Sequence, residues 1–377
     1  MTEPLRGLAG LGIDEPAKKP GVDRRHRIFL VDDSGVVRTL MARWIEAEPD
    51  LVLVGVASDG AEAIRALGRA EADVCVLDLE MPVLGGLDAL PRLLELRPNM
   101  KVLVCSRLSQ RGAEVTLRAL QAGAADYLSK PAAGDRSAAD NFRRDLVAKA
   151  RMLARSRGRA AKLDALRPST PANPRTRPAL AAPCRPEILA LGASTGGPNA
   201  LSSFLKALNG EWQTPIVIVQ HMPKVFLDMF AAQLEKASPF KAICATHGMR
   251  LEKGRIYLAP GDVHLKIARD GTDFVAQHDT GPAENYCRPA VDVLFRSVAA
   301  VCGTASLGVV FTGMGRDGCQ GADAIVKAGG LVLAQDEASS VVWGMPGAVV
   351  DAGLAEFVGP ADALAAAVKS IGAGRRP

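Results

Sequence analysis

The first half of the chain alternates short apolar runs with segments whose apolar residues recur at helical spacing. Strands are predicted at 28–31, 51–57, 73–79, 101–105 and 125–129, and helices at 36–48, 60–69, 87–96, 111–122 and from about 139. Five strand–helix units of this length predict a flavodoxin-like, doubly wound α/β domain with a five-stranded parallel sheet. In such a fold, functional residues gather at the carboxyl ends of the strands.

The same alternation returns in the second half of the chain and predicts a second, mostly parallel α/β sheet. Its strands are expected at 188–192, 215–219, 241–246, 255–259, 307–312 and 331–334. One stretch differs, because apolar residues flank Asp270-Gly271 on both sides, which is the pattern of a β-hairpin. We therefore expect a doubly wound sheet with an antiparallel hairpin at its edge.

Between the two patterns lies a segment, 155–187, that is rich in Arg, Pro, Ala and Ser. Residues 149–178 hold nine basic residues and one acidic residue, a net charge of +8, so the rest of the chain carries −3 of the overall +5. This composition predicts an extended, mobile linker, or a charged helix followed by coil. The expected division is a disordered extension at 1–25, a domain at 26–150, a linker at 151–187 and a second domain at 188–377.

Length and composition favour a two-domain protein and argue against a membrane-inserted or nucleic-acid-binding one. A length of 377 residues favours two domains. No apolar run approaches the roughly 18 residues that span a bilayer, and the first 24 residues lack the apolar core of a secretory signal, so we expect no membrane insertion. The seven scattered cysteines fit reduced thiols of the cytoplasm and lack zinc-site spacing. Because only the linker is basic, no nucleic-acid partner is expected.

Polar residues end four of the five strands predicted in the first half. They are Asp32 and Asp33, Asp78, Ser106 and Lys130. In a doubly wound sheet these positions converge at one edge, where three carboxylates repel one another unless a cation joins them. Hard oxygen ligands suit Mg²⁺, while a lysine and a hydroxyl suit a phosphoryl group. Each aspartate alone could be an ordinary turn residue, but the joint pattern predicts a phosphate-accepting carboxylate with a magnesium site.

Ser194 closes the apolar run of the second half at 188–193 and is followed by two glycines and Pro198. A hydroxyl on a tight strand-to-helix turn is held clear of both elements, and glycines let backbone N–H groups approach a ligand. The turn therefore suits a serine nucleophile or an anion-binding loop. The alternative is that Ser194 only caps the helix that follows.

A serine nucleophile needs a base and a group that orients the base. Among the histidines of the second half, His221 also follows a predicted strand, which favours it over His247, His264 and His278. Asp317 lies in the glycine-rich stretch 311–318 and is the expected orienting carboxylate, unless it only caps a helix. Backbone N–H groups of that loop could stabilise an oxyanion. Cys319 is a conceivable thiol nucleophile in the same stretch.

Residues 28–131 resemble a response-regulator receiver domain. The resemblance rests on the acidic, hydroxyl and lysine positions described above. The resemblance implies that Asp78 is phosphorylated by a partner histidine kinase. It further implies that Asp32, Asp33, Asp78 and the carbonyl of Glu80 bind Mg²⁺. Ser106 and Tyr127 match the switch hydroxyl and switch aromatic of that family, and Lys130 its lysine, followed by a cis Pro131. Tyr127 could equally be a core aromatic residue.

Residues 188–372 resemble the catalytic domain of the CheB chemotaxis methylesterases. The matching motifs are GASTGG (192–197), QHMP (220–223), LAPGDVHL (258–265), RPAVDVLF (288–295) and TGMGRDG (312–318). The resemblance implies a cytoplasmic enzyme that hydrolyses glutamate methyl esters on chemoreceptors, releasing methanol, and deamidates particular receptor glutamines.

The same resemblance implies roles for individual residues. Ser194 would be the nucleophile, His221 the base and Asp317 the group that holds the imidazole, and no metal is needed in this domain. Thr195 would orient the His221 ring, and the backbone at Met314 would line the oxyanion hole. With two sites on one chain, we expect the unphosphorylated first domain to cover the entrance to Ser194 and phosphorylation to open it. The alternatives are a second domain that binds a partner or nucleic acid without chemistry, and a phosphate- or nucleotide-binding module built on 192–197.

Overall fold

The structure, a computed structural model of the chain, describes residues 25–107, 109–131, 136–166, 185–210 and 212–376. The predicted N-terminal extension therefore lies outside the described residues except for Arg25. The predicted linker lies outside them from 167 to 184. No helix in the described ranges is both long enough and apolar enough to cross a bilayer.

The N-terminal domain is a parallel sheet with helices on both faces. Its strands are β1 (His26–Val31), β2 (Leu51–Ala57), β3 (Val74–Asp78), β4 (Lys101–Arg107) and β5 (Asp126–Lys130). Its helices are α1 (Gly35–Glu46), α2 (Gly60–Leu67), α3 (Gly86–Leu96), α4 (Gln110–Gln121) and α5 (Arg136–Leu166). The strand order is β2-β1-β3-β4-β5 and every pairing is parallel. The doubly wound, five-stranded domain predicted from hydrophobic periodicity is confirmed.

Helix α5 is longer than the sequence pattern suggested. Leu146, Ala150 and Leu153 are fully buried against the sheet, and this spacing continues the apolar face of the helix past residue 150. Arg151 then pairs with Asp50 at 2.7 Å and with Glu48 at 2.7 Å. The boundary expected at 150 therefore cuts through a helix, and the alternative of a charged helix is correct for 151–166. The extended linker expected from 155 is wrong up to that point.

The C-terminal domain contains a second and larger parallel sheet. The strands of this domain are β6 (Ile188–Ala193), β7 (Ile216–Gln220), β8 (Lys241–Cys244), β9 (Arg255–Leu258), β10 (His264–Asp270), β11 (Asp273–Asp279), β12 (Ser306–Val310), β13 (Leu331–Gln335) and β14 (Phe357–Gly359). Its helices are α6 (Gly197–Leu208), α7 (Lys224–Ala237), α8 (Val291–Cys302), α9 (Cys319–Lys327), α10 (Met345–Asp351) and α11 (Ala361–Gly372), with a short 3-10 helix at Gly303–Ala305. Seven strands form the sheet in the order β14-β13-β12-β6-β7-β9-β8, and all their pairings are parallel.

The predicted hairpin is present, but it forms a sheet of its own. Strands β10 and β11 form a two-stranded sheet and do not extend the edge of the seven-stranded sheet. Leu265, Ile267 and Ala276 are buried on the inner face of the hairpin, in one core cluster with apolar residues of α8. The Ser297 hydroxyl of α8 accepts a hydrogen bond from the Ile267 N–H at 3.0 Å. Burial of this apolar face therefore decides where the hairpin lies. The mostly parallel α/β class is as predicted, but the predicted position of the hairpin at the edge of the large sheet is wrong.

The two domains contact each other through α4 and β5 on one side and α6 and α7 on the other. The side-chain amide of Asn199 in α6 donates to the Leu120 carbonyl of α4 at 2.7 Å. The ring of Tyr127 in β5 packs on Phe226 in α7, with ring centroids 5.1 Å apart. This interface includes the start of α6, the helix that follows Ser194.

Candidate functional sites

The acidic residues of the N-terminal domain meet where β1 and β3 end. These two strands are neighbours, so Asp32, Asp33 and Asp78 lie side by side with carboxylate oxygens within 4.8 Å of one another. Asp32 and Asp78 are buried and Asp33 is exposed. A group of hard oxygen donors that is open on one side fits a divalent cation such as Mg²⁺. Glu80 is exposed, and its N–H donates to Asp78 Oδ1 at 3.3 Å.

Lys130 neutralises part of this acidic charge from the end of β5. Its Nζ lies 2.7 Å from Asp32 Oδ2 and 2.7 Å from Asp78 Oδ2. Burial lowers the pKa of Lys130, but the two carboxylates outweigh burial and the pKa is raised. The pKa of Asp78 is raised because burial outweighs the attraction of Lys130. The peptide bond before Pro131 is not cis; within the described residues the cis bond is Arg288–Pro289.

Ser106 contacts α4 of its own domain, and Tyr127 contacts the C-terminal domain. Ser106 Oγ lies 2.6 Å from the Thr116 hydroxyl of α4, and Thr116 donates its own proton to the Gly112 carbonyl at 2.7 Å. Ser106 is therefore the donor in the first bond. Tyr127 is 8% exposed and packs against Phe226 of the other domain, a position compatible with a core aromatic and with a switch.

Ser194 lies directly after β6 on a turn that requires glycine. Gly196 has φ of +77°, and a Cβ there would lie 2.6 Å from the Val341 side chain. Gly196 is the residue that precedes α6, so Ser194 does not cap that helix. The half-buried serine faces the loop after β12, because a Cβ on Gly313 would come within 2.8 Å of Ser194 Cβ.

The partly exposed His221 and the buried Asp317 form a hydrogen-bonded pair. The distance from His221 Nε2 to Asp317 Oδ2 is 2.8 Å. The N–H groups of Val291 and Asp292, at the start of α8, also donate to the Asp317 carboxylate, at 2.7 and 3.0 Å. Burial raises the pKa of Asp317, but these bonds outweigh burial and the pKa is lowered. Burial lowers the pKa of His221, yet Asp317 and Cys287 raise it to about 9.

Ser194 lies beside this pair without bonding to it. Strands β6 and β7 are adjacent, with Ala193 opposite Gln220, so Ser194 and His221 each follow the end of a neighbouring strand. In the part of the chain that the structure describes, the Ser194 hydroxyl makes no hydrogen bond with the ring. The second ring nitrogen, His221 Nδ1, instead lies 3.6 Å from Cys287 Sγ.

Thr195 and Met314, the two residues expected to assist catalysis, lie in different surroundings. The Thr195 hydroxyl donates to Asp126 Oδ2 of the N-terminal domain at 2.6 Å, and that carboxylate also pairs with Lys149 at 2.9 Å. Thr195 thus faces the domain interface, and its expected contact with the His221 ring stays a prediction. Met314 is 45% exposed on the loop after β12 and follows Gly313, where a Cβ would lie 2.8 Å from Ser194 Cβ.

The competing residues have structural partners. His264 Nε2 lies 3.0 Å from the Pro282 carbonyl and His278 Nε2 lies 3.0 Å from the Ala245 carbonyl. His247 Nδ1 accepts the His278 N–H at 3.1 Å. The Cys319 thiol donates to the Ala348 carbonyl at 3.4 Å. Within the described ranges, His221 is the histidine whose ring hydrogen-bonds a carboxylate.

Four residues of these sites were not predicted from the sequence. Gln220 donates its side-chain amide to the carbonyls of Ser194 and His221 at 3.0 and 3.2 Å, tying the two strand ends together. Its place beside His221 in the QHMP motif was the available signal. The others are Asn285, which donates to Asp317 Oδ1 at 3.2 Å, Cys287 and Asp126. For these three, nothing in the local sequence marked a role.

Fold and sites together define a two-domain α/β protein that joins an acidic receiver site to a serine, histidine and aspartate cluster. Comparison with known families matches residues 189–368 to CheB methylesterase and residues 28–139 to the response regulator receiver domain. The chain therefore belongs to the CheB methylesterase family and carries a receiver domain at its N-terminal end.

Individual relatives span both domains. A protein-glutamate methylesterase/protein-glutamine glutaminase 2 of Caulobacter vibrioides is 46% identical over 340 residues, covering 90% of this chain and 96% of that protein. A protein-glutamate methylesterase/protein-glutamine glutaminase 1 of Paramagnetospirillum magneticum is 42% identical, covering 97% and 100%. The crystal structure of the Thermotoga maritima CheB methylesterase catalytic domain is 35% identical and covers 48% of this chain and 97% of its own, with a TM-score of 0.48.

Proposed function

We propose that this protein hydrolyses glutamate methyl esters on chemoreceptors and deamidates receptor glutamines, under control of phosphorylation at Asp78. The observation that carries the proposal is the 2.8 Å bond between His221 and Asp317 at the strand end next to Ser194. A neutral imidazole held by a carboxylate is the base that a serine hydroxyl needs. The relatives in Caulobacter vibrioides and Paramagnetospirillum magneticum are named for the same pair of activities, which supports the proposal.

In the proposed reaction, Ser194 Oγ attacks the ester carbonyl while His221 takes the serine proton. Because Nε2 bonds to Asp317, the accepting atom is Nδ1, which must exchange Cys287 for Ser194. The ring then donates the proton to the leaving methoxide, releasing methanol, and water attacks the acyl-serine by the same route in reverse. With a glutamine substrate the leaving group is ammonia. Backbone N–H groups near Met314 face the developing oxyanion, where one donor contributes about 3–4 kcal/mol.

In the same proposal, the arrangement of the two domains is the inhibited state. The receiver domain packs over the Ser194 end of the catalytic domain, and Asp126 holds the hydroxyl of Thr195, the residue next to the nucleophile. Tyr127 and Phe226 add an aromatic contact at 5.1 Å. In this proposal, these contacts restrict the access of a methylated receptor helix to Ser194.

Phosphorylation would act through α4 and β5. Asp78 is the acceptor, with a receptor-coupled histidine kinase as donor. Mg²⁺ would be held by Asp32, Asp33, Asp78 and the Glu80 carbonyl, and when bound it offsets the negative charge of the incoming phosphoryl group. A phosphoryl oxygen would attract the Ser106 hydroxyl away from Thr116, which lies on the helix that contacts α6 and α7. A shift of α4 weakens the interface and raises the population of the open arrangement.

The test is methanol release from methylated receptor membranes by the full chain, with and without a small-molecule phosphodonor. We expect release that rises with the phosphodonor and is lost in Ser194→Ala. His247→Ala is the matched control, because His247 is an exposed histidine outside the cluster. Release that persists in Ser194→Ala would overturn the assignment of the nucleophile, and no release under any condition would overturn the activity.

A further inference from the structure

A second nucleophilic side chain shares the imidazole of His221. Residues Glu284 and Cys287 close a tight turn, with the Cys287 N–H donating to the Glu284 carbonyl at 2.8 Å. The two residues at the turn's apex, Asn285 and Tyr286, have φ of +51° and +63°. This turn presents Cys287 Sγ to His221 Nδ1 at 3.6 Å.

Cys287, His221 and Asp317 therefore form a continuous thiol, imidazole and carboxylate chain. The imidazole can take the thiol proton through Nδ1, and Asp317 stabilises the resulting imidazolium through Nε2. The thiolate is the reactive form of cysteine, and an adjacent protonated imidazole favours it.

The other described cysteines lack this arrangement. Burial raises the pKa of Cys75, Cys244 and Cys302 to about 12 each. Burial also raises the pKa of Cys105 and of Cys319. These thiols stay protonated near neutral pH and react slowly. Cys287 is instead half-buried on a surface turn whose neighbour Tyr286 is fully exposed, so small solutes can reach it.

We propose that Cys287 is a redox modification site that turns off the esterase when a hydroperoxide oxidises it. The thiolate sulfur attacks one peroxide oxygen, so an S–O bond forms and the O–O bond breaks. Sulfur loses two electrons and the peroxide gains them; with hydrogen peroxide, the leaving hydroxide takes the imidazolium proton to become water, and with an alkyl hydroperoxide the leaving alkoxide takes it to become an alcohol. The product is a sulfenic acid, which thiols reduce back to cysteine.

Oxidation of Cys287 blocks His221 Nδ1, the ring nitrogen that the proposed ester hydrolysis needs. The added oxygen lies next to His221 Nδ1 and can hydrogen-bond to it. That nitrogen is then unavailable to take the proton of Ser194, so turnover stops while the fold is retained. The reactivity of the thiol follows from the geometry alone, whereas the loss of turnover rests on the proposed function.

The first experiment measures thiol reactivity and does not depend on activity. The full chain is treated with iodoacetamide at pH 7, and peptide mass spectrometry follows each cysteine. We expect Cys287 to react at least about tenfold faster than Cys244, and His221→Gln to remove that advantage without changing the rate at Cys244. Equal rates at the two cysteines, or an unchanged Cys287 rate in His221→Gln, would overturn the proposal.

The second experiment measures the consequence. Each protein is treated with hydrogen peroxide, and its methanol release is compared with its own untreated rate. We expect the parent and Cys244→Ser to lose about nine-tenths of the rate and to recover it with dithiothreitol, while Cys287→Ser keeps its rate. An equal fractional loss in Cys287→Ser would refute the switch. The assays contain the small-molecule phosphodonor, and if the parent that has not been exposed to peroxide still releases no methanol, the proposed function fails and the alkylation rates alone decide whether Cys287 is activated.

Discussion

The hydroxyl of Thr195 donates a 2.6 Å hydrogen bond to Asp126 across the domain interface, and both side chains are buried. Thr195 follows the proposed nucleophile directly, and Asp126 opens the last strand of the receiver domain. Lys149 adds a 2.9 Å ion pair to the same carboxylate and a 2.8 Å bond to the Tyr127 carbonyl. One contact thus joins the receiver domain to the turn that carries Ser194.

Removing this contact should activate the unphosphorylated protein. In Asp126→Ala the Thr195 bond is lost, and a buried bond to a charged group contributes about 1.5–3 kcal/mol. We expect methanol release without a phosphodonor to rise about tenfold or more. Asp88→Ala, an exposed acidic residue of α3, is the control and should change nothing. Unchanged basal release in a folded Asp126→Ala would show that this contact does not restrain the enzyme.

The three proposed catalytic residues should behave as one unit. Ser194→Ala and His221→Ala should each lower kcat by about a thousandfold or more, because either change leaves no activated hydroxyl. The double variant should be little slower than either single variant. Pre-steady-state and steady-state methanol release would measure these rates. Losses that multiply in the double variant would mean that the two residues act independently.

The raised pKa of His221 predicts the pH dependence of the unphosphorylated full chain. The ring must be neutral to accept a proton, so kcat/KM should fall about tenfold per pH unit as pH drops below about 9. Asp317→Asn removes the carboxylate that raises the pKa of His221. The acidic limb of the kcat/KM profile should therefore move to lower pH, and the absolute rate of methanol release should be much lower. If kcat/KM of the wild-type protein fell only below about pH 6.5, the ordinary pKa of histidine, the assignment of His221 as the base with a raised pKa would be contradicted.

The same pKa makes a prediction for stability, with a definite sign. Because the folded-state pKa lies above the unfolded value of 6.5, the protonated ring stabilises the fold. That contribution is fully present below 6.5 and is lost as pH rises through about 9. Urea unfolding of the parent and His221→Gln should therefore differ most near pH 6 and converge above pH 9. A difference that grows with pH would have the wrong sign.

Phosphodonor activation should require Asp78. In Asp78→Ala the phosphoryl group has no acceptor, so methanol release should stay at the basal rate whether or not a small-molecule phosphodonor and Mg²⁺ are present. The parent should be activated under the same conditions, and Asp88→Ala should respond like the parent. Activation that survives in Asp78→Ala would place the acceptor elsewhere.

Two glycines with positive φ allow the cost of backbone strain to be measured separately from the cost of steric crowding. A Cβ at Gly271, φ +61°, meets nothing within 4 Å, whereas a Cβ at Gly196, φ +77°, would lie 2.6 Å from Val341. Gly271→Ala should cost about 1 kcal/mol of unfolding free energy from backbone strain alone. Gly196→Ala should cost about 2–4 kcal/mol, because overpacking adds to that strain. Urea melts of the two variants measure both, and equal losses would mean that Val341 yields at no cost.

Hydrophobic periodicity predicted most of the fold because β strands buried on both faces are nearly continuous apolar runs. All five residues of β3 are buried, and so are all six of β6, and both strands were located from the sequence. Strand β14 has three residues with mixed burial, which is too short for a periodic signal. The length of α5 was hidden because Arg144 and Arg155 are exposed on its solvent side while Leu153 and Ala154 fill the core.

The sequence by itself determined which residues end the central strands. Parallel strands place their carboxyl ends at one edge, so Asp32 and Asp78, and separately Ser194 and His221, had to become neighbours. Only the tertiary structure decided which atoms meet across loops and domains, as in the contacts of Asp126 with Thr195 and of Cys287 with His221. Such contacts depend on the packing of elements that are distant along the chain and on the direction of each side chain, and neither leaves a periodic trace in the sequence.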